Sequence, residues 1–176
     1  MRTRLEMERE GSTLHLILGP WGAGKSTLAE RLPKLLPEHV IFDWDLVIPG
    51  LALATGKDAF RDSSTWEGLY AIWLAIIQAV LDGGHNVVLC CSVQPVDIPL
   101  DVVSPRRIRA AYIDCSDDEL RARLGARRES AGDIGGELAE ATALRQSSYF
   151  RLDGARDPDA LAEAAAMWIL GNQAVN

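Results

Sequence analysis

The run Leu14-His15-Leu16-Ile17-Leu18-Gly19-Pro20-Trp21-Gly22-Ala23-Gly24-Lys25-Ser26-Thr27 decides how the rest of the chain is read. Five residues of strand composition lead into a glycine-rich turn, and a helical pattern over 24–36 leaves it, with Pro33 set to kink or shorten that helix. From Gly19 onward the turn fits G-x-x-x-x-G-K-[ST] at every fixed position. Such a loop points its backbone N–H groups inward at the positive end of a helix, which is what a polyphosphate tail needs. Gly22 and Gly24 permit backbone angles that a side chain would forbid. Gly19, Gly22, Ala23 and Gly24 form the cradle, Lys25 reaches the β- and γ-phosphates, Ser26 is placed to ligate Mg²⁺, and Thr27 to touch an inner phosphate.

Outward from the loop, short apolar runs alternate with longer helical ones. Strands are predicted over 40–43, 86–91, 108–113 and, more weakly, 149–153. A helix over 66–81 opens on the capping pair Ser64 and Glu67, closes at Gly83-Gly84, and is apolar on nearly every face, so it is expected deep against the sheet. Ser116 and Glu119 box the start of a helix reaching about residue 128. Gly132, Gly135 and Gly136 then break the pattern before a polar helix that ends near 147. Asp157 and Pro158 open a last helix whose stripe is Leu161, Ala164, Ala165, Trp168 and Ile169. Residues 46–63 read as a short helix and a loop. Strands alternating with helices argue for βαβ units and a parallel sheet: one α/β domain over 13–176, after a frayed tail at 1–12 in which Met7 is an alternative start.

At 176 residues, 48% hydrophobic and 24% charged, the chain can bury a core without staples. A formal charge of −7 repels long polyanions, which disfavours a nucleic-acid partner but not a nucleotide. Cys90, Cys91 and Cys115 lie in apolar strands with no metal-ligand spacing and read as reduced, buried thiols of a reducing, cytoplasmic setting. The N-terminus lacks an apolar signal region, and the most apolar stretch, 69–77, is far below the roughly 18 residues that span a bilayer. Oligomeric state is not fixed by the sequence.

Asp43 and Asp45 close the second strand. In a parallel sheet that end shares an edge with the phosphate loop, and the i, i+2 spacing turns both carboxylates the same way. They read as functional acids beside a polyphosphate or as a solvated acidic turn. The third strand ends Cys90-Cys91-Ser92 with no acid, which argues against a motor or AAA-type ATPase. Ser92 and Gln94 line an acceptor pocket or form a plain loop. Arg121, Arg123, Arg127 and Arg128 crowd one helix and its exit; such charges either share anions or lie on a face neutralised by Asp117, Asp118 and Glu119. Trp21 and Trp44 wall an acceptor pocket or simply pack, and Arg145 is a weaker candidate in the arginine group.

The order strand, GxxxxGKST, helix, strand ending in D-x-D, helix, strand, strand and arginine-rich segment resembles the small P-loop kinases, the group of shikimate kinase, gluconate kinase, chloramphenicol phosphotransferase and adenylate kinase. The likeness runs from about 13 to 170. It implies a three-layer α/β/α fold with a five-stranded parallel sheet in order 2-3-1-4-5, ATP with Mg²⁺ as donor, and a small lid at about 126–137. By this resemblance Asp43 is the base or holds a Mg²⁺-bound water, and Asp45 hydrogen-bonds the acceptor. Arg123 flanks the adenine, Arg127 or Arg128 clamps the transferring phosphate, and the Gly154-Ala155-Arg156 loop borders the base. The implied function is transfer of the γ-phosphate of ATP to a small-molecule hydroxyl or nucleoside monophosphate. The alternative is a regulatory NTPase or switch, and a polynucleotide-end kinase is disfavoured by the net charge.

Overall fold

Strand β1 (Leu14–Leu18) is buried along its whole length, as its unbroken apolar run requires of a central strand covered on both faces. The computed structural model describes residues 12–47, 66–92, 108–126 and 134–171. Around β1 the other strands are β2 (His39–Asp43), β3 (Asn86–Cys91), β4 (Ile108–Asp114) and β5 (Phe150–Asp153). The helices are α1 (Lys25–Leu35), α2 (Trp66–Asp82), α3 (Asp117–Ala126), α4 (Ile134–Arg145) and α5 (Pro158–Ile169). All neighbouring strands pair parallel in the order β2-β3-β1-β4-β5, the order the resemblance implied.

Alternation along β1 splits the core into two layers. Ile17 faces the layer shared with Leu28 and Leu32 of α1 and Ala165 and Trp168 of α5. Leu14, Leu16 and Leu18 face the layer shared with Trp73, Leu74 and Ile77 of α2. Full burial of each such side chain contributes about 1.5–3 kcal/mol. Both expected helix starts are made. Ser116 N–H donates to Glu119 Oε2 at 2.9 Å while Glu119 N–H donates to Ser116 Oγ at 3.3 Å, and Asp157 Oδ1 accepts from the Asp159 N–H at 2.9 Å ahead of Pro158.

Three expectations change. Helix α2 is not sunk on every side: Trp73, Leu74, Ile77 and Leu81 are buried, but Ile72 is 48% exposed, because a helix in an outer layer meets the sheet along one face only. Gly135 and Gly136 do not delay α4, which begins at Ile134 and takes both into its first turn, where the N–H groups lack helical partners in any case. Pro33 lies inside α1, which continues past it to Leu35. The expected cap at Ser64, the tail at 1–11, the loop at 48–65 and lid residues 127–133 lie outside the described residues.

Gly154 joins β5 to β4 through its N–H, which donates to Asp114 O at 2.8 Å. A Cβ there would stand 2.5 Å from Cys115 Sγ, 2.8 Å from Asp114 O and 2.9 Å from Ile113 Cγ2. Gly154→Ala is therefore expected to destabilise the fold by about 1–3 kcal/mol, read as a lower urea midpoint with unchanged slope.

Candidate active site

Parallel pairing brings the C-terminal ends of β1, β2 and β3 to one edge, so the loop after Leu18 meets the residues after Asp43 and Cys91. The loop takes positive φ at Gly22 (83°) and at Gly24 (104°), the residue that caps α1. Its carbonyls are held by two cations. Lys25 Nζ donates to Gly19 O at 2.6 Å and Pro20 O at 3.1 Å. The Arg123 guanidinium donates to Gly22 O and Ala23 O at 3.4 Å each, to Gly154 O at 2.9 Å and to Cys115 Sγ at 3.1 Å. The Ser92 hydroxyl also donates to Gly19 O, at 3.2 Å.

Two cavities flank this loop. One, of about 150 Å³, is lined by Trp21, Gly22, Gly24, Lys25, Ser26, Thr27 and Asp45. The other, of about 420 Å³, lies toward α5 and includes Arg123, Ala126, Gly154 and Arg156 beside the apolar Leu28 and Leu161. Asp43 Oδ1 accepts from the Asp45 N–H at 3.2 Å, so the first acid holds the backbone of the second. Burial raises the Asp45 carboxyl from its ordinary value, the Asp43 charge adds to the push, and Lys25 opposes it.

From the other side α4 leans on the loop. Glu137 Oε2 accepts from the Trp21 N–H at 2.7 Å. Glu140, one turn on, has an oxygen shut off from water with no hydrogen-bond partner among the described residues. Burial raises its carboxyl, Glu137 adds to the rise, and Lys25 pulls the other way.

The family model described as an AAA domain matches residues 14–152. The chain belongs to this family. No curated protein matches it in sequence. Among solved structures, this AAA-domain protein is similar in fold to a sugar kinase from Janibacter sp. HTCC2649, with a TM-score of 0.62 at 21% identity, covering 90% of this chain and 95% of that one. A gluconokinase from Sinorhizobium meliloti 1021 gives 0.58 at 19%, covering 93% and 95%. A shikimate kinase from Aquifex aeolicus gives 0.61 at 15%, covering 90% and 97%. The fold is that of the small P-loop kinases.

The family's description overturns one inference: the acid missing from the end of β3 does not set this chain outside AAA domains. The absence itself stands, since β3 closes on Cys90 and Cys91 and runs into Ser92. Trp44 is corrected as a pocket wall. It is 5% exposed, its ring stacks on Trp73 with centroids 5.7 Å apart, and its carbonyl accepts from Trp73 Nε1–H at 3.0 Å. Asp45 does not close β2, which ends at Asp43; a 3-10 turn over Trp44–Val47 begins there and sends the Trp44 ring back into the core. Trp21, by contrast, is 43% exposed and lines the smaller cavity. Asp45 lines that cavity, and Asp43 is not among its lining residues. Arg145 is corrected as a lid candidate, since it pairs with Asp114 and Asp117 at 2.8 Å each. Arg123 and Arg156 both border the larger cavity. Gln94, Arg127 and Arg128 lie outside the described residues. Glu137 and Glu140 were missed, because acids on a polar helix look like a solvated face. Only their i, i+3 spacing marks them.

No helix among the described residues is long and apolar enough to cross a membrane. Two outcomes are expected at this site. Since the fold holds the Asp45 proton more tightly than the unfolded chain does, its stability falls as pH rises from the ordinary carboxylate range through the raised value. Asp45→Asn should accordingly melt at a higher temperature than wild type near pH 7, with the gap closing toward about pH 4. Glu137→Gln should tighten nucleotide binding by roughly 3–10-fold in titrations of Trp fluorescence, because a carboxylate on a loop amide competes with phosphate.

Proposed function

We propose that this protein is a kinase that transfers the γ-phosphate of ATP to a hydroxyl of a small molecule. The observation that carries the reading is the smaller cavity, in which Lys25, Ser26 and the Asp45 carboxylate face one another beside the phosphate loop. The larger cavity on the opposite flank suits the adenine, with Leu28 and Leu161 as apolar walls and Arg123 and Arg156 at its border. Fold likeness to proteins named as sugar, glucono- and shikimate kinases supports the same class.

Phosphoryl transfer needs positioning and charge stabilisation more than covalent chemistry. Lys25 leaves the carbonyls of Gly19 and Pro20 and turns to the β- and γ-phosphates, exchanging two dipoles for full charges. The hydroxyl of Ser26 in the same cavity is a hard oxygen donor of the kind Mg²⁺ takes. When bound, the ion neutralises charge on the phosphates. Asp45 accepts the proton as the acceptor oxygen bonds to phosphorus and the bond to ADP breaks; its raised affinity for a proton suits that task. Asp43 orients it through the 3.2 Å bond to its amide. Clamping of the transferring group falls to Arg127 or Arg128, and the setting is the ATP-rich cytoplasm.

A second reading, a nucleotide-dependent switch, is favoured by the AAA-domain description of the family. The end of β3 opposes it, because Cys90-Cys91-Ser92 supplies no acid to hold a metal-bound water.

The test is incubation with Mg·ATP and a panel of hydroxylated acceptors, with products read by phosphorus NMR and mass spectrometry. A phosphorylated acceptor is expected, and Lys25→Ala should lower its rate by at least about 10²–10³-fold. Hydrolysis alone across the panel, together with nucleotide-dependent capture of a protein partner, would select the switch instead.

A further inference from the structure

We infer that the acceptor is a polyhydroxylated ring bearing no carboxylate or phosphate, held by hydroxyl donation to Asp45 and by contact of its apolar face with the Trp21 indole. The inference rests on the kinase reading and narrows it.

Among the described residues the smaller cavity offers two charged side chains, Lys25 and Asp45. In the kinase reading Lys25 is taken by the donor phosphates, so the charge these residues leave to meet an acceptor is negative. Nearby charges deepen that sign. Asp43 stands two residues from Asp45 and repels it. Glu137 sits 2.7 Å from the Trp21 amide, and Glu140 is close enough to Lys25 and Glu137 for both charges to act on its carboxyl. The described arginines nearest the loop do not offset them. Arg123 is bound to the carbonyls of Gly22, Ala23 and Gly154 and borders the other cavity, while Arg145 is bound to Asp114 and Asp117. Carboxylates accept hydrogen bonds and donate none, so this lining suits hydroxyl or ammonium donors and repels an acid.

Trp21 supplies the second half of the argument. Its indole is 43% exposed on the wall of the same cavity as Asp45. An indole half open to water gains by covering its face with C–H groups, and a sugar-like ring carries such a face with hydroxyls at its rim. An aromatic wall beside a hydrogen-bond acceptor thus matches a ring that is apolar on its face and polar at its edge.

The experiment compares kcat/KM for matched acceptors: glucose and glucosamine against glucuronate and glucose 6-phosphate, and adenosine against adenosine monophosphate. Within each set the neutral or amino member is expected to exceed the anionic one by about 10-fold or more. Glu137→Gln combined with Glu140→Gln should narrow that ratio, a change that mere loss of stability would not make. Trp21→Ala should raise KM for the acceptor more than KM for ATP, and Trp21→Phe should recover most of the loss. An anionic member preferred in either set overturns the inference and leaves the kinase reading standing. Hydrolysis of ATP with no phosphorylated member in any set overturns the kinase reading and this inference with it.

Discussion

Four carbonyls of the loop between β1 and α1 are tied to cations. Lys25 takes those of Gly19 and Pro20, and Arg123 takes those of Gly22 and Ala23. Positive φ at Gly22 and Gly24 makes the curvature of the loop cheap, and the two side chains hold it. The same guanidinium reaches Gly154 O and Cys115 Sγ, so the curvature of the loop is tied to the ends of β4 and β5. Preorganisation of this kind is what a transfer reaction driven by charge placement demands.

That economy has a cost nearby. Asp45 and Glu140 carry partly buried carboxyls whose ionised forms are disfavoured, and Lys25 opposes that effect at each. Among the described residues neither acid has an ion pair at salt-bridge distance. Strained charge at a site, supported by a well-packed sheet beneath it, is the usual relation between activity and stability.

Legibility in the sequence followed the nature of each interaction. The phosphate loop could be read because its chemistry fixes residue types at fixed spacing. The sheet followed from strands too apolar to be exposed on either face, and its order came from the resemblance alone. What escaped notice depended on three-dimensional neighbours. Arg123 borders the larger cavity, and its hold on backbone carbonyls, which any sequence provides, had no signal in the residues. Trp44 looked like a wall because it stands between two acids, but the 3-10 turn that begins at it sends its ring into the core. Glu137 and Glu140 gained their place only once α4 was seen to lie against the loop. Gly135 and Gly136 misled because a glycine penalty that applies mid-helix is slight in a first turn.

The indole stack beneath Asp45 has a mechanical side. Trp44 and Trp73 lie 5.7 Å apart with their planes 21° from parallel, and the second indole is pinned by its N–H to the carbonyl of the first. Aromatic rings are stiff spacers, so the separation between helix α2 and the tip of β2 is set by two rigid plates rather than by flexible aliphatic chains. The carboxylate on the very next residue inherits that tolerance, and any tilt of the helix is delivered to it undamped.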